Sequence, residues 1–185
     1  MSITNNIYQP TLFITEELFK LNSPISANME IVEFIPFISF AQDLYIIPIL
    51  GTPLSDELKQ QIEEDEVSEA NAELIIKLSK GLSFYSVYCA APFLWSSFLS
   101  KGITIRNSEN STSINNNDLA YIRNILKSDA EAFNNQFINF LCEKRNDYPL
   151  WRPSHPYLCK QCKEDSGDNI KHYDSGIYMK KKLLS

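Results

Sequence analysis

The chain reads YIIPILG from Tyr45 to Gly51, then TPLSDEL from Thr52 to Leu58. An apolar segment runs into glycine, and a Thr-Pro step restarts the chain with polar and acidic residues. Glycine is the usual residue just past a helix C-terminus. Thr52 can cap the next helix, with Pro53 at its first position and Asp56 and Glu57 near its positive end. The stretch therefore predicts two helices joined by a tight corner, and a mainly α fold follows from reading outward in both directions.

Upstream, Ile31, Phe34, Ile35, Ile38, Ala41, Leu44, Tyr45 and Ile49 recur at steps of three and four, which predicts a helix from about Met29 to Leu50. Pro36 falls in its first turn or kinks it. Before it, residues 1–28 form an N-terminal arm with a short helix, ITEELFKLN, capped by Thr15. Residues 23–28, SPISAN, are a loop.

Downstream, the helix begun at Thr52 ends near the acidic stretch EEDEVSEAN. A long apolar helix is expected from about Ser68 to Leu99. Leu74, Leu78, Leu82, Tyr85, Cys89 and Pro92 form its stripe, widened by Ile75, Phe84, Val87, Tyr88, Phe93 and Trp95. Such breadth marks a helix central in a bundle or covered by other subunits. Pro92 predicts a bend. The segment KGITIRNSENSTSINNND fits a short β-hairpin or a mobile loop. A last long helix runs from about Asn117 to Lys144, capped by Asn116 or Asn117. Leu119, Ile122, Leu126, Ala130, Phe133, Phe137 and Phe140 form its stripe, and NDYPLWRP stops it.

The fold expected is thus a small helical bundle with a hairpin or loop between its two longest helices and an extended C-terminal arm. Residues 29–149 form the helical domain and 150–185 the tail. The 185 residues suffice for one core, and 44% hydrophobic with 22% charged residues is an ordinary globular balance. Net charge is −6, divided as +3 over residues 150–185 and −9 over the rest. Such a body repels duplex DNA, while its basic tail suits docking on another copy or partner, or solvated disorder. The N-terminus has no signal-peptide pattern, and no apolar run is long enough to span a membrane. A protein made in the cytoplasm is expected.

Catalytic signals are sparse. No phosphate loop, dinucleotide fingerprint, HExxH helix or nucleophile elbow occurs, and no enzyme or cofactor is expected. The acidic run holding Glu63, Glu64, Asp65 and Glu66 could bind a divalent metal, although charge runs are usually solvated. In the tail, His155, Cys159, Cys162 and His172 offer a zinc-type ligand set around one Cys-x2-Cys step, as would suit a small adaptor or regulatory protein with a zinc-stabilised tail. The default there is two ordinary thiols and no metal. Cys89 and Cys142 read as small core residues.

The order of these parts resembles the head–tail connector (adaptor) proteins of tailed bacteriophages, in versions found in phages of Bacteroides-type hosts. The resemblance rests on Ala41-Gln42, YIIPILG, Leu54, the Lys101-Gly102 turn and Tyr148-Pro149, over roughly residues 10–150. It implies a structural virion protein at the portal vertex. Its subunits would form a ring, expected as a dodecamer, that binds the portal and extends the DNA channel without reading sequence. The ring would offer its far side to a downstream tail or second connector protein. The tail beyond Trp151 is not part of the pattern.

Overall fold

The computed structural model describes residues 10–25, 29–99, 102–105 and 116–153. Those residues are mainly helical. Helix α1 spans Glu16–Asn22, and the Thr15 hydroxyl accepts the Leu18 N–H at its start, as the sequence suggested.

The helix expected over Met29–Leu50 is not continuous. A 3-10 turn covers Ile31–Glu33, α2 covers Ile35–Ala41, a π-turn covers Gln42–Ile46, and α3 covers Ile47–Leu50. Pro36 lies in the first turn of α2, where a missing N–H costs nothing. Pro48 is the physical reason for the π-turn. It cannot donate to the Leu44 carbonyl and its ring would crowd that group. The chain widens by one residue, so that the Ile47 N–H bonds the Gln42 carbonyl five residues back.

The corner also differs from expectation. Helix α4 spans Thr52–Glu63, so Thr52 is its first residue and Gly51 occupies the capping position. Gly51 has φ +76° and ψ 159°, a region essentially reserved for glycine. Its carbonyl accepts both the Ser55 N–H, at 3.1 Å, and the Ser55 hydroxyl, at 2.8 Å.

Helix α5 spans Glu69–Trp95, ending four residues short of the expected Leu99. Strand β1, Ser96–Leu99, follows and pairs antiparallel with β2, Gly102–Ile105, in the register Ser96–Ile105 and Leu99–Gly102. Both strands therefore precede the Asn-Ser-Glu-Asn stretch. Over four residues helical spacing and a short apolar strand share one pattern, so periodicity alone carries the helix past Trp95. Helix α6 spans Asn116–Glu143, and a 3-10 turn, Arg145–Asp147, ends it.

The core lies along α5. Leu74, Leu78, Leu82, Tyr85 and Cys89 are buried, matching the expected stripe. Toward α2, Tyr45 stacks on Tyr85 with ring centres 3.9 Å apart, and Phe37 stacks on Phe93 at 5.4 Å. Toward α6, Phe84 meets Phe133 at 5.1 Å and the Arg123 guanidinium lies 4.6 Å from the Tyr88 ring centre. Helices α5 and α6 run antiparallel: Lys144 reaches Glu73 near one end and Arg123 reaches Tyr88 toward the other. The helices approach closely at Gly81, where a Cβ would strike the Asn134 side-chain oxygen. The core crosses both sequence boundaries, at 28 and at 149. Phe13, Ile14 and Phe19 join it from one side, Trp151 from the other.

Candidate functional site

The first feature is built by the corner. Trp151 is buried, and its indole N–H donates to the Ile49 carbonyl at 2.7 Å. The Arg152 N–H donates to the Leu50 carbonyl at 3.3 Å. These carbonyls belong to the last turn of α3 and have no helical partner of their own. The strap after α6 thus completes the end of a helix about one hundred residues earlier. Gly51 makes this possible, because any Cβ there would land on the Arg152 carbonyl oxygen. Tyr148 holds the strap from its other side: its hydroxyl donates to the Ala70 carbonyl at 2.7 Å, and burial pushes its pKa up to about 12.

The N-terminal arm is tied down by one side chain. Buried Gln42 accepts the Phe13 N–H at 2.8 Å and donates to the Thr11 carbonyl at 3.0 Å. Residue composition alone gives no sign of this clamp. The signal lies in a lone amide on an otherwise apolar helical face.

The second feature is apolar surface left uncovered on two flanks. Beside α5 on the α2 side, Phe40, Leu44 and Phe93 are each about half exposed, at 53%, 50% and 46%. On α6, Leu126, Ala130 and Phe137 of the expected stripe are buried and Phe133 and Phe140 partly so. Tyr121, Ile122 and Ile125 are exposed, Tyr121 at 68%. The first patch adjoins the Phe37–Phe93 contact, and the second lies on α6, so the two belong to different helices packed on α5.

The third feature is a groove of about 390 Å³ between α5 and α6, floored by Phe133, Phe137 and Phe140 and edged by Lys77 and Lys80. Lys77 lies 5.6 Å from the centre of the Phe140 ring, and Lys80 lies 5.9 Å from that of Phe133. Glu143 closes one end. Sequence reading missed this groove, since its two walls are more than fifty residues apart. The available signal was a pair of lysines at i and i+3 on a helix otherwise read as apolar.

The acidic residues singled out from sequence lie at the end of α4. Asp65 sits at φ +56°, the Glu66 N–H bonds the Gln61 carbonyl at 3.0 Å, and the Asp65 N–H bonds the Ile62 carbonyl at 3.3 Å. This is a glycine-type helix terminus occupied by aspartate. Gln61 braces the turn by accepting from the Ser68 N–H at 3.0 Å and the Asn71 side chain at 2.9 Å. Glu63 accepts a hydrogen bond from the Thr11 hydroxyl, and Glu64 accepts one from Gln60. Among the described residues, no three His, Cys, Asp or Glu side chains are gathered closely enough to hold a metal ion. His155, Cys159, Cys162 and His172 lie outside the described residues. Cys89 is buried in the core, where desolvation raises its thiol pKa, and Cys142 packs against the core.

The described residues define a helical protein whose central helix is packed by other helices and whose strap after α6 closes on the Gly51 corner. Residues 46–161 match the family of unknown function DUF6712, and the chain belongs to that family. The match takes in both Gly51 and the Trp151 strap that lies over it. Neither a curated protein nor a solved structure matches the chain. No helix among the described residues is long and apolar enough to cross a membrane.

Proposed function

We propose that this protein is a structural component of a phage virion, a ring at the head–tail junction that binds the portal and extends the DNA channel toward the tail. It acts by assembly, without turnover. The observation that carries this reading is the pair of exposed apolar patches, one with Phe40, Leu44 and Phe93 and the other, on α6, with Tyr121, Ile122 and Ile125. A monomer rarely leaves such patches to water, and a subunit with two of them can pass its contact from copy to copy.

The charge distribution supports the same reading. A body of net −9 over residues 1–149 repels phosphate, so duplex DNA would slide past rather than stick. The basic segment 150–185 begins at a strap anchored beside Gly51. In this proposal it reaches from that anchor to a neighbouring copy or the portal, and the hairpin of β1 and β2 borders the channel or the subunit seam.

Electron microscopy and mass photometry of the protein, alone and mixed with its portal, test the proposal. Closed rings of defined copy number are expected in one condition or both. A strict monomer in both overturns the reading.

A further inference from the structure

We infer that successive copies of this chain join through the acidic turn of one copy, Glu64 to Val67, seated in the lysine-edged groove between α5 and α6 of the next. This rests on the ring reading above and names a contact within it.

The groove has the chemistry of a receptor for an acidic segment carrying a small apolar residue. Its floor is phenyl ring, supplied by Phe133 and Phe140. Its edge carries Lys77 and Lys80, both exposed, and neither pairs with a carboxylate among the described residues. The other cation nearby, Lys144, is already committed to Glu73 at 2.6 Å. With Glu143 at one end of the groove, the two lysines leave its edge with a net positive charge, on a body of net −9.

The acidic turn is the matching surface on the same chain. Glu64, Asp65 and Glu66 are exposed, and exposed Val67 follows them at the tip. The terminus bonds and the Gln61 brace hold this shape in advance, so little ordering remains to be done on docking. Glu63 is tied back to Thr11, outside the turn, while Glu64 accepts one hydrogen bond, from Gln60 at Oε1.

Placement decides the symmetry. The turn is fixed to α5 at Asn71, through Gln61. Lys77 and Lys80 are six and nine residues from Asn71, so at ~100° per residue they point about 120° and 180° away from it around α5. The two surfaces therefore lie on opposite flanks and cannot meet within one molecule. A contact between different patches on opposite flanks is head-to-tail, and such a contact closes into a ring or runs on as a filament.

Charge reversal tests this with its own control. Lys77→Glu with Lys80→Glu inverts the groove. Glu64→Lys with Glu66→Lys inverts the turn, and neither turn residue is core. Each pair alone should weaken self-assembly at least about tenfold, since like charges then face each other. Mixing the two variants should restore assembly in alternating order, and combining all four changes in one chain should restore it for a single species. Circular dichroism confirms that each variant remains helical. If the wild type forms rings and the inverted variants form them equally well, the contact is elsewhere and the ring reading survives. Failure of the mixture to assemble, with each variant folded, also overturns the contact and would direct attention to the segment 154–185 as the groove's occupant. A wild type that is monomeric with and without portal overturns both ideas.

Discussion

Gly51 and Trp151 show how much structure can hang on two side chains a hundred residues apart. The glycine supplies a backbone angle that other residues adopt only with strain, and it also leaves space for the Arg152 carbonyl. Gly51→Ala should therefore cost about 3 kcal/mol or more, combining left-handed strain with displacement of the strap. Denaturant titration measures this, and a loss below 1 kcal/mol would mean that the strap adjusts freely. Trp151→Phe keeps most of the buried area but orphans the Ile49 carbonyl, and a loss of about 1–3 kcal/mol is expected. The two substitutions disturb one contact, so their effects should be less than additive in the double variant. The sequence announced Gly51 as a helix stop. It did not announce the strap, because backbone-to-backbone bonds such as Arg152 to Leu50 depend on no particular side chain.

Elements were legible where periodicity was sustained and hidden where one residue altered the count. The α5 stripe from Leu74 to Cys89 is buried as its spacing required. The span ending at Leu50 is different. Pro48 converts a turn to π geometry, which shifts the faces by one residue without breaking the apolar pattern. The lysine groove was beyond sequence reading because it depends on how α5 and α6 are aligned. That alignment is set at Gly81 and Asn134. Asn134 is buried, its Oδ1 has no hydrogen-bond partner among the described residues, and it occupies the space a Gly81 Cβ would need. Gly81→Ala gains about 1 kcal/mol of helix propensity but forces the amide aside, for a net loss of about 1–2 kcal/mol. Asn134→Ala removes the obstacle and an unsatisfied oxygen together. The double variant should then be more stable than Gly81→Ala alone, as chemical denaturation would show. If it is no more stable, Asn134 does not set the spacing.

For the whole molecule, alkaline pH is the sharpest probe of whether these closures act together. Tyr85 and Tyr148 are buried, and desolvation, foremost among the causes, pushes each to about 12. An unfolded tyrosine titrates near 10. The folded chain thus keeps two protons that the unfolded chain releases between about pH 10 and 12. Their contribution is fully present below pH 10 and is lost as pH rises through that window. Lys144 acts in the same direction, since the hydrogen bond it donates to Glu73 raises its pKa. Melting temperature should hold level to about pH 9 and fall steeply above 10. Tyrosinate absorbance should show most of the nine tyrosines ionising early and a minority ionising only as helical circular dichroism collapses. Tyr148→Phe should lower stability at neutral pH by about 1 kcal/mol, through loss of the bond to the Ala70 carbonyl, yet make the alkaline decline shallower. The opposing signs matter: a merely loosened protein would be weaker at every pH. If all nine tyrosines ionise near pH 10 while the helices persist, the strap does not close the core as described.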